Sequence, residues 1–166
     1  MNLTLVKLER YSGEKASIYT LYDNVEEKTL FETFIEENKS LFLSELKDIN
    51  NRLIAIGTKT GAREVFFKIN EGNPGDGVCA LYDNPDSNLR LYCIRYGTAL
   101  VVLGGGGNKP KNIRALQENP KLKKENYILR EVSKTITERL KNKDIWFVNN
   151  FKDLEGELDF NTDENE

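Results

Sequence analysis

The chain has 166 residues, of which 39% are hydrophobic and 31% charged, the profile of one globular domain rather than of a disordered or fibrous chain. It contains no histidine, which excludes a Ser-His-Asp triad, a histidine-based metal site and a histidine general base. No apolar run approaches the roughly 20 residues of a membrane helix, and the N-terminus lacks the basic and apolar regions of a secretory signal, so a cytoplasmic protein with no membrane partner is expected.

Asn2–Arg10 and Ser17–Asp23 alternate apolar and polar residues, and Tyr11-Ser12-Gly13-Glu14-Lys15 between them supplies turn chemistry; this reads as a β-hairpin. Leu30, Phe31, Phe34 and Ile35 give Asn24–Glu37 a helical stripe. Leu41, Leu43, Leu46, Ile49, Leu53 and Ile56 do the same for Ser40–Ile56, with Asn38-Lys39-Ser40 as a hinge and Gly57 as a C-cap. The expectation is an αα-hairpin. Val65–Ile69 fits a short strand, and Asn70–Gly77 is a loop by its Asn, Gly, Pro and Asp content.

Three strands follow: Val78–Tyr82, Leu89–Tyr96 and Thr98–Leu103, the last two joined tightly at Gly97. Parity puts Leu89, Leu91, Cys93 and Arg95 on one face of the middle strand, and Arg90, Tyr92, Ile94 and Tyr96 on the other. Ala99–Leu103 is continuously apolar, as in a strand covered on both faces. Cys79 and Cys93 lie in apolar stretches and read as reduced core thiols. Asn112–Asn119 fits a short helix and Leu122–Lys143 a long one, its apolar stripe formed by Tyr127, Ile128, Val132, Ile136 and Leu140. Glu118, Glu125, Glu131 and Glu138 read as surface partners of Lys and Arg at i,i+4. Residues 1–150 read as a single α+β domain with an antiparallel sheet, an N-terminal αα-hairpin and a C-terminal helix. Residues 151–166 read as a disordered acidic tail.

The charge is segregated. Residues 1–86 hold 10 Lys+Arg against 15 Asp+Glu, a net of −5; residues 87–143 hold 13 against 4, a net of +9; residues 144–166 hold 1 against 8, a net of −7. A basic block in an acidic protein suggests an anionic partner, a solvated helix face being the competing reading. Within the block, Gly104-Gly105-Gly106-Gly107-Asn108-Lys109-Pro110 fails the phosphate-loop template, because no Gly-Lys-Ser/Thr follows and Pro110 lacks a backbone donor. The glycines read instead as a turn that lets backbone approach RNA, with Lys109 and Lys111 beside it. Arg90, Tyr92, Arg95 and Tyr96 on the preceding strand, with Arg114 beyond, could bind phosphate and stack on bases; ordinary cross-strand packing is the alternative.

The order of helix, helix, three antiparallel strands, basic turn and C-terminal helix resembles the RelE/ParE superfamily of toxins from type II toxin–antitoxin pairs. The resemblance spans roughly residues 25–142 and is carried by Asn88–Tyr96, Ala99–Leu103 and Lys109-Pro110-Lys111. It implies an endoribonuclease that inhibits translation by cutting messenger RNA through 2′-OH attack, with RNA or the ribosome and a neutralising antitoxin protein as partners. It implies no metal and no cofactor. It also implies catalytic roles for Arg90 at the scissile phosphate, Lys109 and Lys111 as turn cations, and Lys68 near the nucleophile. The alternative is a non-catalytic protein-binding module on the same fold, poisoning a target as some ParE relatives do, or a phage or mobile-element protein.

Overall fold

A computed structural model describes residues 1–82, 86–109 and 119–161. Its centre is a pair of strands covered on both faces. β2 (Ser17–Asp23) is buried from Ser17 to Leu21, and β7 (Leu100–Asn108) from Leu100 to Gly107. Strands this apolar on both sides belong in the middle of a sheet. Here they pair in parallel, Ser17 with Leu100 through Thr20 with Leu103, and the Thr20 hydroxyl donates to the Leu103 carbonyl at 2.8 Å.

The remaining strands extend the sheet outward by antiparallel pairing. β1 (Asn2–Lys7) lies beside β2 as the expected hairpin, and β3 (Lys28–Thr29) adds to the end of β2. On the other side β6 (Leu89–Tyr96), β5 (Val78–Leu81) and β4 (Phe67–Lys68) follow in order. The sheet is therefore mixed, not antiparallel, because β7 returns next to β2 in the same direction after the chain has crossed one face as a helix.

That helix is α1 (Leu30–Ala55). The Thr29 side chain caps it by accepting from the Glu32 N–H at 3.0 Å. It is one helix with a kink, not an αα-hairpin. Asn38-Lys39-Ser40 contains no Gly or Pro, and the Asn38 amide donates back to the Phe34 carbonyl at 2.7 Å, inside the helical ladder. The break falls instead at Phe42 (φ −130°, ψ 35°). Gly57 does not end the helix in a left-handed cap. It lies in the widened turn Ile56–Thr60, pressed against the first hairpin, where a Cβ would stand 1.9 Å from the Tyr11 carbonyl oxygen.

α1 covers one face of the sheet with Phe31, Phe34, Leu46 and Leu53 over Ile18, Leu91, Cys93, Val101 and Leu103. α2 (Pro120–Lys141) covers the other with Leu122, Leu129, Val132 and Ile136 over Leu21, Tyr92, Ile94 and Val102. The parity expected for β6 holds, since its odd residues face α1 and its even residues α2.

The acidic segment forms strands up to Asn161, and residues 162–166 lie outside the described residues. β8 (Ile145–Val148) pairs with β9 (Asp153–Gly156), and β10 (Asp159–Asn161) adds to the outer edge of β1, Phe160 opposite Leu3. Composition hid this, because Leu154 and Phe160 are isolated among acids yet buried. Asp153 fastens the segment: its carboxylate accepts from Ser17 Oγ, Tyr19 OH and Asn149 Nδ2 at 3.0, 2.9 and 2.8 Å and pairs with Lys7 at 3.1 Å. Burial alone would raise this carboxyl, but the donors outweigh it and hold it at about 2, below the ordinary 3.8.

A folded-state value below the unfolded one stabilises the fold above the unfolded value and loses that effect as pH falls. Asp153→Asn should therefore lower the urea midpoint most above pH 4, and the difference from wild type should shrink as pH drops toward 2. A difference constant over that range would mean that Asp153 acts through packing alone.

Candidate nucleic-acid interface

The glycine run is a strand, not a turn. β7 continues through Gly104–Gly107, paired with β6: Leu91 opposes Gly106, Arg90 opposes Gly107 and Leu89 opposes Asn108. Between Leu91 and Cys93 the register slips by one residue, so β7 carries a bulge within the glycines. The missing side chains make room for α2. A Cβ on Gly104 would stand 2.7 Å from Leu129 Cδ1, one on Gly105 2.2 Å from Glu125 Oε2, and one on Gly106 1.8 Å from the Arg90 carbonyl oxygen. With both helices close to a bare strand, Lys121 of α2 reaches Glu37 of α1 at 3.1 Å and Glu125 at 3.0 Å. Burial works against the charge on Lys121, but the two carboxylates outweigh it and raise its ammonium above the ordinary value. Glu125 is buried beneath this pair and is not the surface residue its spacing suggested.

This end of the sheet gathers the basic groups. Arg90 is half-buried on the α2 face, opposite Gly107, over which the Lys121 side chain lies. The Lys109 N–H donates to the Asn88 carbonyl at 2.8 Å, which sets Lys109 diagonally across the ladder from Arg90. The start of β6 is held by Glu45 of α1, whose carboxylate accepts the N–H groups of Asn88 and Leu89 at 2.9 and 3.1 Å and the Asn88 amide at 2.8 Å. Lys111 and Arg114 lie outside the described residues.

The other expected site residues are dispersed. Tyr92 is 1% exposed beneath α2 and cannot stack on a base. Arg95 is on the opposite face, where its Nε donates to the Ala62 carbonyl at 2.8 Å and its guanidinium lies over Phe67. Tyr96 is packed edge-on to Phe147, its phenol buried and its ionisation pushed well up by that burial, with the Ser133 hydroxyl opposing the rise. Lys68, on the edge strand β4, pairs with Glu71 at 3.3 Å.

One feature of the surface was not evident from the apolar stripe. Tyr127 is 46% exposed, with the Arg130 guanidinium 4.7 Å and the Lys123 ammonium 5.8 Å from its ring centre. Arg130 also donates to the Glu71 carbonyl, beside Asn126, which donates to the same oxygen at 2.8 Å. Lys123, Tyr127 and Arg130 at i, i+4 and i+7 are themselves a helical face, and that spacing is the signal that could have revealed them. Lys123, Tyr127 and Arg130 thus share one face of α2 that reaches through Glu71 to Lys68, while the first turn of the same helix lies over Gly107, the ladder partner of Arg90. Cations flanking a half-exposed aromatic ring suit a single-stranded polyanion.

No protein-family model, curated protein or solved structure matches the chain. Among the described residues no group of His, Cys, Asp and Glu could hold a metal ion, and no helix is long and apolar enough to cross a membrane.

The glycine geometry gives a direct test. Gly106→Ala would drive a Cβ into the backbone of Arg90 and should cost about 1–3 kcal/mol, read from urea unfolding. Gly107→Ala, whose nearest neighbour is Lys121 Cγ at 3.4 Å, should unfold close to wild type. Equal effects would mean that β7 is not wedged at the bulge.

Proposed function

We propose that the chain is a RelE-like translation inhibitor that engages RNA along the strip from Arg90 and Lys109 to Arg130, and that it acts by occupying its target rather than by cutting it. The observation that carries this reading is the pair of cations, Lys123 and Arg130, that flank the half-exposed Tyr127 on α2, whose first turn lies over Gly107, the ladder partner of Arg90. The element order from α1 through β5, β6 and β7 to α2 supports the RelE-like build, with a kinked helix in place of the hairpin. Occupancy is favoured over cleavage because, among the described residues, neither the expected lysine nor either strand tyrosine is placed to take a 2′-OH proton. Lys68 is in an ion pair, and Tyr92 and Tyr96 are buried. An antitoxin protein remains the natural partner of such an inhibitor.

The test is binding of a fluorescent single-stranded RNA as a function of salt. Wild type should bind, with affinity falling as salt rises. Arg90→Gln and Lys123→Gln should each weaken binding and flatten the log–log salt dependence by about one. Tyr127→Ala should weaken it by about 1–3 kcal/mol through lost stacking. In cell-free translation the full chain should suppress synthesis with RNA ends unchanged. New RNA ends would establish cleavage and overturn the occupancy mechanism. Suppressed synthesis without RNA binding would point to the protein-binding alternative.

A further inference from the structure

We propose that Cys79 and Cys93 are a reversible dithiol–disulfide pair, oxidised by hydrogen peroxide that enters through the cavity between Glu64 and the 69–77 segment. The two residues are direct register partners on β5 and β6, and their sulfurs are 3.5 Å apart. Both are free thiols. The Arg95 N–H donates to the Gly77 carbonyl two positions along, so Cys79 and Cys93 belong to the hydrogen-bonded class of antiparallel pairs. That class has Cα atoms about 5.5 Å apart, inside the span of roughly 4.4–6.8 Å that a disulfide bridges. To bond, the sulfurs must close to about 2 Å. The pull on the ladder makes the bond strained and easily reduced, the property of a switch rather than of a permanent staple.

Access is one-sided. A cavity of about 300 Å³ is lined by Cys79 together with Glu64, Ile69, Asp76, Gly77 and Arg95. Cys93 is completely buried, and that burial, reinforced by Cys79 beside it, pushes its thiol well up. Cys79 is also buried, at 2% exposure, but it lines the cavity and Cys93 does not, so Cys79 meets the oxidant first. Its sulfur attacks one oxygen of the peroxide, the O–O bond breaks, and the other oxygen leaves as hydroxide and takes up the thiol proton as water. This gives a sulfenic acid at Cys79. The Cys93 sulfur then attacks the Cys79 sulfur; the S–S bond forms, the S–O bond breaks, and the oxygen leaves with the Cys93 proton as a second water. Two thiols lose two electrons and the peroxide gains them. The product ties β5 to β6 beneath α1, beside the edge that carries Lys68.

The test treats the folded full-length protein with hydrogen peroxide, quenches it, and titrates thiols in denaturant. Both thiols should disappear, the monomer should lose two hydrogens by mass, peptide mapping should join Cys79 to Cys93, and dithiothreitol should restore both. In Cys93→Ala, dimedone should trap a sulfenic acid on Cys79; in Cys79→Ala, Cys93 should stay unlabelled. If both thiols survive an exposure that oxidises the denatured chain, if the bridge joins two chains, or if Cys93 is labelled as fast as Cys79, the proposal is wrong. Mapping the wild-type product needs no variant, so a variant that fails to fold leaves the outcome decidable.

Discussion

The structure depends on one constraint: β7 must run bare between two helices. From Gly104 to Gly107 it carries no side chain to fill the space above or below it, and α1 and α2 approach from opposite faces. A strand of glycines loses entropy on ordering and contributes no side-chain burial. It is held only because Leu129 and Glu125 fill the volume that β-carbons would have taken, and because β6 supplies the ladder on one side. The ion pair from Glu37 through Lys121 to Glu125 follows from the same approach. Residues on opposite faces of a sheet do not ordinarily meet. They meet here where the parallel pairing of β2 and β7 has ended and the layer between the helices is only backbone.

That constraint also locates the charged strip. α2 begins where the bare strand ends, capped by the Asn119 side chain accepting from the Leu122 N–H, so its lysine-rich first turns are set over Gly107 and its partner Arg90. Glu45 fixes the start of β6 from the other face. Arg90 is thus positioned by backbone pairing with Gly107 and by the half-buried Glu45 carboxylate that holds the two residues before it. A cation held in this way loses little further conformational entropy on meeting a phosphate.

Much of this was legible in the sequence, for identifiable reasons. The first hairpin, the loop at 70–77 and the two-faced parity of β6 follow from period-two patterning and turn chemistry, which are local. The differences share a cause: at these positions neighbours override the local signal. Gly104–Gly107 has turn composition, yet helix packing makes it a strand. Asn38 looks like a hinge, yet its amide returns to the helix it was expected to break. Leu154 and Phe160 are two apolar residues in an acidic stretch, and only the free edge of β1 and the floor under α2 give them somewhere to go. Tyr127 beside Ile128 looks like core, yet the stripe through Leu122, Leu129, Val132 and Ile136 leaves it on the rim.

Counting charge along the chain overstates the field that a partner meets. Of the cations in the basic block, Lys121 is matched by Glu37 and Glu125, Arg95 is turned to the α1 face, and Arg139 is spent on the carbonyls of Glu157 and Asp159 and on the ring of Phe160. Lys123 and Lys124 are exposed on the outer side of α2, with Arg130 beside Tyr127, and Arg90 and Lys109 stand at the end of the β6–β7 ladder. Lys123, Tyr127 and Arg130 follow one edge of α2. The acidic segment that neutralises the total charge is pinned through Asp153 to β2 and through β10 to β1, on the opposite side of β7 from β6 and β4. The sheet itself keeps that acid away from the strip. A protein of net charge −3 can therefore present a locally positive surface while the described acids at Asp153, Glu155 and Asp159 are held at the far side of the sheet.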